Sequence, residues 1–204
     1  MIVNRLHITA ILASFLFMTS CGSSAGDFTL DELSLIYSSD SIMRVLTIDD
    51  PADSSILRKA SSDFSAEALV SDDFAKLSEL MVATVIHPSQ DGVGIAGPQV
   101  GLNRRVVAVQ RFDKEGEPFE VYANARIVWA SDSLAYGPEG CLSVTDRRGD
   151  VLRSQEIVIE YADRKLIGDL EEIPMVRDTV KGFTAVIFQH EIDHLDGVLY
   201  IDRL

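Results

Sequence analysis

Gln189-His190-Glu191-Ile192-Asp193-His194-Leu195-Asp196-Gly197, QHEIDHLDG, is the stretch around which the rest of this sequence is organised. His190 and His194 stand one helical turn apart, so on a helix both imidazoles share a face. Glu191 is adjacent. Two neutral imidazoles can hold a divalent ion, and a neighbouring carboxylate can handle the proton of water at that ion. Phe183, Val186 and Ile187 precede the histidines at helical spacing, which predicts a helix over residues 179–195, ended by Gly197. A helix that merely carries two histidines is the plain alternative. The H-E-x-x-H pattern is specific enough on a helix to favour the metal.

The 204 residues suit one domain with a sizeable core. The formal net charge of −14 repels phosphate backbones, so no nucleic-acid partner is expected, and nothing points to an obligate protein partner. The start of the chain reads as targeting rather than fold. Arg5 is followed by an apolar run, Ile8 to Met18, and then by Met18-Thr19-Ser20-Cys21 and a Gly/Ser-rich stretch. An apolar residue, two small ones and a cysteine resemble a bacterial lipobox. That resemblance implies a signal peptide over residues 1–21, a lipid anchor on Cys21 and a place in the cell envelope. An ordinary cleaved signal and a retained N-terminal anchor are the alternatives; an unused signal would leave the chain cytoplasmic. Residues 22–42 are predicted to be a tether with a helical turn near Leu30 to Tyr37, and residues 43–204 the folded domain.

Within that domain, Ser54 to Lys59 read as a loop. Phe74, Leu77, Leu80, Met81, Thr84 and Val85 form one apolar stripe, which predicts a helix from Asp72 to His87, stopped by Pro88. The glycine-rich run DGVGIAGPQVG, residues 91–101, lacks the third glycine and the lysine of the nucleotide fingerprints and reads as a tight connection. Strands are expected over 104–111, 119–130 and 156–161, with one or two more around Pro174. Residues 136–144 are Gly/Pro-rich and read as irregular. One helix, a run of strands and a last long helix make the class α+β, with mixed or antiparallel sheets packed around the C-terminal helix.

A zinc-type catalytic site takes three protein ligands and leaves one position open. The metzincin position for a third histidine is Tyr200, and the chain ends at Leu204, so the third ligand lies upstream. Cys141, His87 and several carboxylates are candidates. His87 fits better as a residue at a helix C-terminus. Cys141, beside Gly140 and the only thiol outside the signal, is preferred. A thiolate with two imidazoles selects Fe(II), Zn, Co or Ni over Mg or Ca.

Three segments now stand in order: GVGIAGPQVG, EGCLSV and QHEIDHLDG. Together they resemble the three motifs of the peptide deformylase family, over roughly residues 43–204. The resemblance implies an amidohydrolase that releases formate from N-formylmethionyl peptides with one divalent metal, typically Fe(II). It implies Cys141, His190 and His194 as metal ligands and Glu191 as general acid/base. Gln99 and the backbone N–H of Leu142 would face the developing oxyanion, and Gly94 would lie at the substrate backbone. Gly140 and the thiol segment would narrow the pocket to a formyl group; Val93, Leu142, Val186 and Ile187 would receive the methionine side chain, or would simply be core. Glu139 is expected to brace the thiol through Arg148 or Arg153, unless it is a surface charge, and Gln189 to cap or solvate the helix. Gly97 and Thr145 depart from the common family residues, Ala and Pro. A small zinc metallopeptidase and a membrane-tethered binder of metal or formyl peptide remain the other readings of the same helix.

Overall fold

The computed structural model describes residues 27–168 and 172–204; Cys21 and the expected signal lie outside them. In chain order, helices α1 (Leu30–Tyr37), α2 (Pro51–Leu57), α3 (Ala66–Val70) and α4 (Asp72–Ile86) precede strands β1 (Gly94–Ala96), β2 (Val106–Gln110) and β3 (Phe119–Ala130). The hairpin β4 (Leu134–Cys141) and β5 (Val144–Ser154) follows, then β6 (Glu156–Ala162), β7 (Met175–Lys181) and helix α5 (Gly182–Leu195). The fold is α+β, and every strand pair is antiparallel.

The five-stranded sheet runs β1-β2-β3-β6-β7 and carries a helix on each face. Its residues alternate between the two layers, as the period of a strand requires. Val106 and Ala108 of β2 join Leu77, Met81 and Val85 of α4 in one core, while Val107 and Val109 join Ala185, Phe188 and Ile192 of α5 in another. β2 is therefore buried on both faces and reads as an unbroken apolar run. The second sheet is the β4–β5 hairpin alone. Its Val144 and Val151 pack on Leu199 and Tyr200 of the chain end. Asn124, in the middle of β3, adopts φ +53 at a break in the β3–β6 register. Its amide is spent on the loop before α3: it accepts from Phe64 N–H at 2.8 Å and donates to Phe64 C=O at 3.1 Å.

Several expectations are corrected. The helical turn expected near Leu30 to Tyr37 is helix α1, capped by Thr29 and Glu32, and its Ile36 is fully buried in the α4 core. Glu32 also meets Arg104 at 2.6 Å, so the fold begins upstream of residue 43. Of the loop expected over 54–59, residues 54–57 belong to helix α2, because Asp50 caps its first turn and Pro51 occupies a first-turn position that needs no N–H. Residues 134–141 are strand rather than irregular: Tyr136, Gly137 and Pro138 pair with Leu152, Val151 and Asp150. α5 starts three residues late, since Thr179, Val180 and Lys181 complete the ladder with β6. The predicted α4 helix, one residue shorter at Ile86, and the strand over 119–130 stand where the pattern put them, and His87 is the exposed C-cap of α4.

Candidate active site

α5 crosses the sheet, and from Thr184 onward it is buried on nearly every side. His190 and His194 leave the apolar face and point at the end of β4. There the Cys141 Sγ lies 3.2 Å from His194 Nε2. One ligand atom from each of Cys141, His190 and His194 falls within 4.8 Å of the others. Exposed His87 takes no part and hydrogen-bonds Ser89 at 2.8 Å.

The hairpin also orients the histidine. Glu139, on β4, meets His190 Nδ1 at 2.8 Å and Arg153 Nε at 2.7 Å. Arg153, not Arg148, is thus its partner. Arg153 reaches on to Asp193 of α5 at 2.6 Å, and Asp193 holds Arg203 of the chain end. Burial alone would raise the Glu139 carboxyl, but hydrogen bonds from His190 and Arg153 outweigh it and hold it at about 2. A permanent carboxylate on Nδ1 fixes the ring and leaves Nε2 for an ion. Burial pushes His194 well below its ordinary value, so it stays a neutral ligand. Burial would also lower His190, but the Cys141 sulfur and Glu139 outweigh it and lift it to about 10. A cation between sulfur and ring would take that proton's place. The donor set fits a borderline divalent metal.

Glu191 is 4 % exposed, and its Oε2 finds no protein partner. His194 Nδ1 is likewise buried and unpartnered. Such orphans are uncommon unless something polar belongs beside them. Burial, reinforced by the charge of Glu139 and opposed by His190, pushes the Glu191 carboxyl up to about 7. The carboxyl lies against bare backbone: a Cβ on Gly94 would stand 2.5 Å from Glu191 Oε1. Gly94 thus leaves the room that the Glu191 carboxyl occupies. Gln99 is 1 % exposed. Its Oε1 accepts from Ala96 N–H at 2.8 Å, which turns Nε2 toward Cys141 Sγ at 3.5 Å and Ser143 Oγ at 3.3 Å.

These groups open into a cleft of about 790 Å³. Val93, Gly94, Gly140, Leu142, Val186 and Ile187 all line it, beside Gln99, Cys141, His190 and Glu191. Ile187 is also a member of the α5 core, so it serves both surfaces. Gln189 does not cap or solvate α5. It is buried and binds the backbone of Ser154 from both ends of its amide, tying helix to hairpin. Phe183, at helical spacing with the apolar face, is not buried with it: it is 58 % exposed at the cleft mouth. Sequence reasoning did not reach Ser143, or the link from Arg153 to Asp193. Only the nearness of Ser143 to the lone thiol was a signal; the Arg153 link has none in one chain.

The family model described as polypeptide deformylase matches residues 42–204. A peptide deformylase of Leptospira biflexa is 36% identical over 170 residues, 80% of this chain and 88% of its own length. A class I type b peptide deformylase from Acinetobacter baumannii superposes with a TM-score of 0.70 at 33% identity, covering 81% of this chain and 100% of its own. A structure of the same bacterium's deformylase with Met-Ala-Ser bound covers 80% of this chain and 98% of its own, with TM-score 0.67 and 32% identity. This chain belongs to the polypeptide deformylase family.

Proposed function

We propose that this peptide deformylase works outside the cytoplasm, held to a membrane through lipidated Cys21, with Fe(II) bound by Cys141, His190 and His194. The chain removes the N-formyl group from N-formylmethionyl peptides. One observation carries the assignment of roles: a thiol and two imidazoles converge within 4.8 Å beside a buried carboxylate that no protein group satisfies.

Once held by these three side chains, a divalent ion supplies Lewis acidity, lowering the pKa of water at the site and drawing charge from a carbonyl oxygen. Glu191 accepts the proton of the attacking water. Burial raises its carboxyl toward the acid form, which suits a group that takes a proton and returns it. As oxygen adds to the formyl carbon, Gln99 Nε2 and the Leu142 N–H donate to the developing oxyanion, a few kcal/mol each in typical sites. Glu191 then passes its proton to the leaving amine, and formate and a free α-amino peptide result. Gly94 and Gly140 keep the cleft narrow at the reacting carbon. Val93, Val186 and Ile187 offer the apolar wall for methionine.

We divide the chain into a signal over 1–21, a short link, and a catalytic domain over 43–204 with α1 docked on it. If Cys21 carries lipid, only residues 22–29 separate it from α1, a reach of roughly 28 Å at full extension. The catalytic domain then stays close to the bilayer. Among the described residues, no helix is long and apolar enough to cross one.

Protein loaded with Fe(II) or Ni(II) without oxygen should release formate from formyl-Met-Ala-Ser and yield no internal fragments. Internal cleavage would favour the zinc peptidase, and metal without formate the binder. Cys141→Ser should empty the site of metal while the fold survives; unchanged metal content would reject the ligand assignment. Mass spectrometry of the native protein should find diacylglyceryl on Cys21. An unlipidated, cytosolic protein would end the envelope reading.

A further inference from the structure

The β4–β5 hairpin carries an irregularity at the cleft mouth. Glu139 pairs with Gly149 and Cys141 with Val144, so a step of two residues on β4 faces a step of five on β5. The four residues Thr145 to Arg148, which face Gly140 alone, bulge out as exposed chain, with Asp146 at φ +55. Asp146, Arg147 and Arg148 line the cleft from this bulge. Arg148 folds back over the metal-site strand: a Cβ on Gly140 would meet its Cγ at 3.6 Å and its Nε at 3.8 Å.

Charge makes the bulge unusual. The chain carries a formal −14. Arginines elsewhere among the described residues are engaged: Arg44, Arg58, Arg104, Arg105, Arg111, Arg126, Arg153, Arg177 and Arg203 by carboxylates, Arg164 by the Leu69 carbonyl. Arg147 and Arg148 alone among them hold no hydrogen-bond or ion-pair partner. The nearby acids do not take them. Asp91 and Asp146 line the same cleft without pairing to either, Glu139 is spent on His190 and Arg153, and Glu191 lies deep beside Gly94. Two free guanidiniums at the cleft mouth, one of them against Gly140, in an acidic protein whose other described arginines are all engaged, are suited to an anion that arrives with the substrate.

We propose that Arg147 and Arg148 select formyl peptides bearing a carboxylate two or three residues beyond the formylated one. This rests on the deformylase reading and narrows its substrate class. An extended peptide advances about 3.3 Å per residue. A carboxylate at the third residue therefore leaves the reacting carbon for the bulge, where Arg148 crosses Gly140. Short free peptides place their α-carboxylate there; a longer chain does so only with an acidic side chain. Fully solvated pairs are weak, so the selection is a matter of KM.

The test uses the metal-loaded full chain and formate release from four substrates: formyl-Met-Ala-Ser with a free carboxylate, its C-terminal amide, and amide-capped formyl-Met-Ala-Asp and formyl-Met-Ala-Asn. Acid should exceed amide, and Asp exceed Asn, by about fivefold in kcat/KM, mostly through KM and less at high salt. An acid preference without an Asp preference would assign the arginines to the α-carboxylate; both preferences would assign them to either source. Arg147→Gln with Arg148→Gln should bring the ratios to near one. Arg147→Glu should invert them, a result that loss of fold cannot mimic. Equal kcat/KM for acid and amide and for Asp and Asn, with formate released from all, would overturn this inference and leave the deformylase reading standing. No formate from any substrate would overturn both. Unchanged ratios in the arginine variants, with weaker binding to phosphatidylglycerol vesicles, would assign these side chains to lipid and overturn it too.

Discussion

Helices α4 and α5 are nearly equal in length, 15 and 14 residues, and pack on opposite faces of one sheet. α4 buries a stripe of Phe74, Leu77, Leu80, Met81 and Val85 and gives its other side to water. The single buried polar group on that stripe, Thr84, accepts from Met43 N–H and donates to Leu80 C=O. α5 is buried almost all round, and half of what it buries is polar: Thr184, Gln189, His190, Glu191 and His194. Each such group has to be answered or kept for chemistry. Gln189 is answered by Ser154 and His190 by Glu139, whereas Glu191 is kept. Apolar burial stabilises α4; α5 gives up some of that stability to hold reactive groups in a dry place.

Substitutions that divide stability from activity sharpen this contrast. The largest effect should come from Glu191→Gln, which keeps the shape and removes the base. kcat should fall about 10³-fold, while metal content and melting temperature stay near the parent values. A retained rate would show that the buried carboxylate is not the base. Next, Leu77→Ala on α4 should cost roughly 2–5 kcal/mol of stability, read from the midpoint of urea unfolding, with kcat/KM kept wherever the protein is folded. A large kinetic loss there would erase the division between the helices. Glu139→Gln should weaken metal binding by about 10- to 100-fold, measured by competition with a chelator, because the ring of His190 loses its carboxylate and Arg153 its partner. The smallest effect belongs to α1. Burial raises the Glu32 carboxyl, but hydrogen bonds from Arg104 and Thr29 hold it below its ordinary value. Its contribution, about 1 kcal/mol, should be complete above the unfolded carboxyl range near pH 4.3 and fade as pH falls through the lower folded value. Glu32→Gln should therefore cost stability at pH 7 and cost nothing in strong acid. An equal cost at both would assign the loss to shape rather than charge.

Legibility followed the range of the interactions. α4 could be read because its stripe repeats at a local period, and strand β3 because β-branched and aromatic residues cluster between turn signals. The histidine pair was readable for the same reason, being one turn apart on one helix. α2 was missed because its signals are a cap and a proline rather than a stripe. β4 was missed because Gly137, Pro138 and Gly140 argue against a strand, and only pairing with β5 overrides them. The tether reading of residues 22–42 weighed composition; Ile36 and Glu32 found partners far along the chain.

From the residues alone came the metal-binding helix, the lone thiol as the preferred third ligand, the α+β class and, through three short motifs, the family. Those depend on neighbours within a turn or a strand. Tertiary structure alone decided that Glu139 binds His190 and Arg153, that Gly94 makes room for Glu191, and that Arg147 and Arg148 stand unpaired over the cleft. These are meetings of side chains far apart in sequence, and no local period encodes which distant charge will be close enough to answer another.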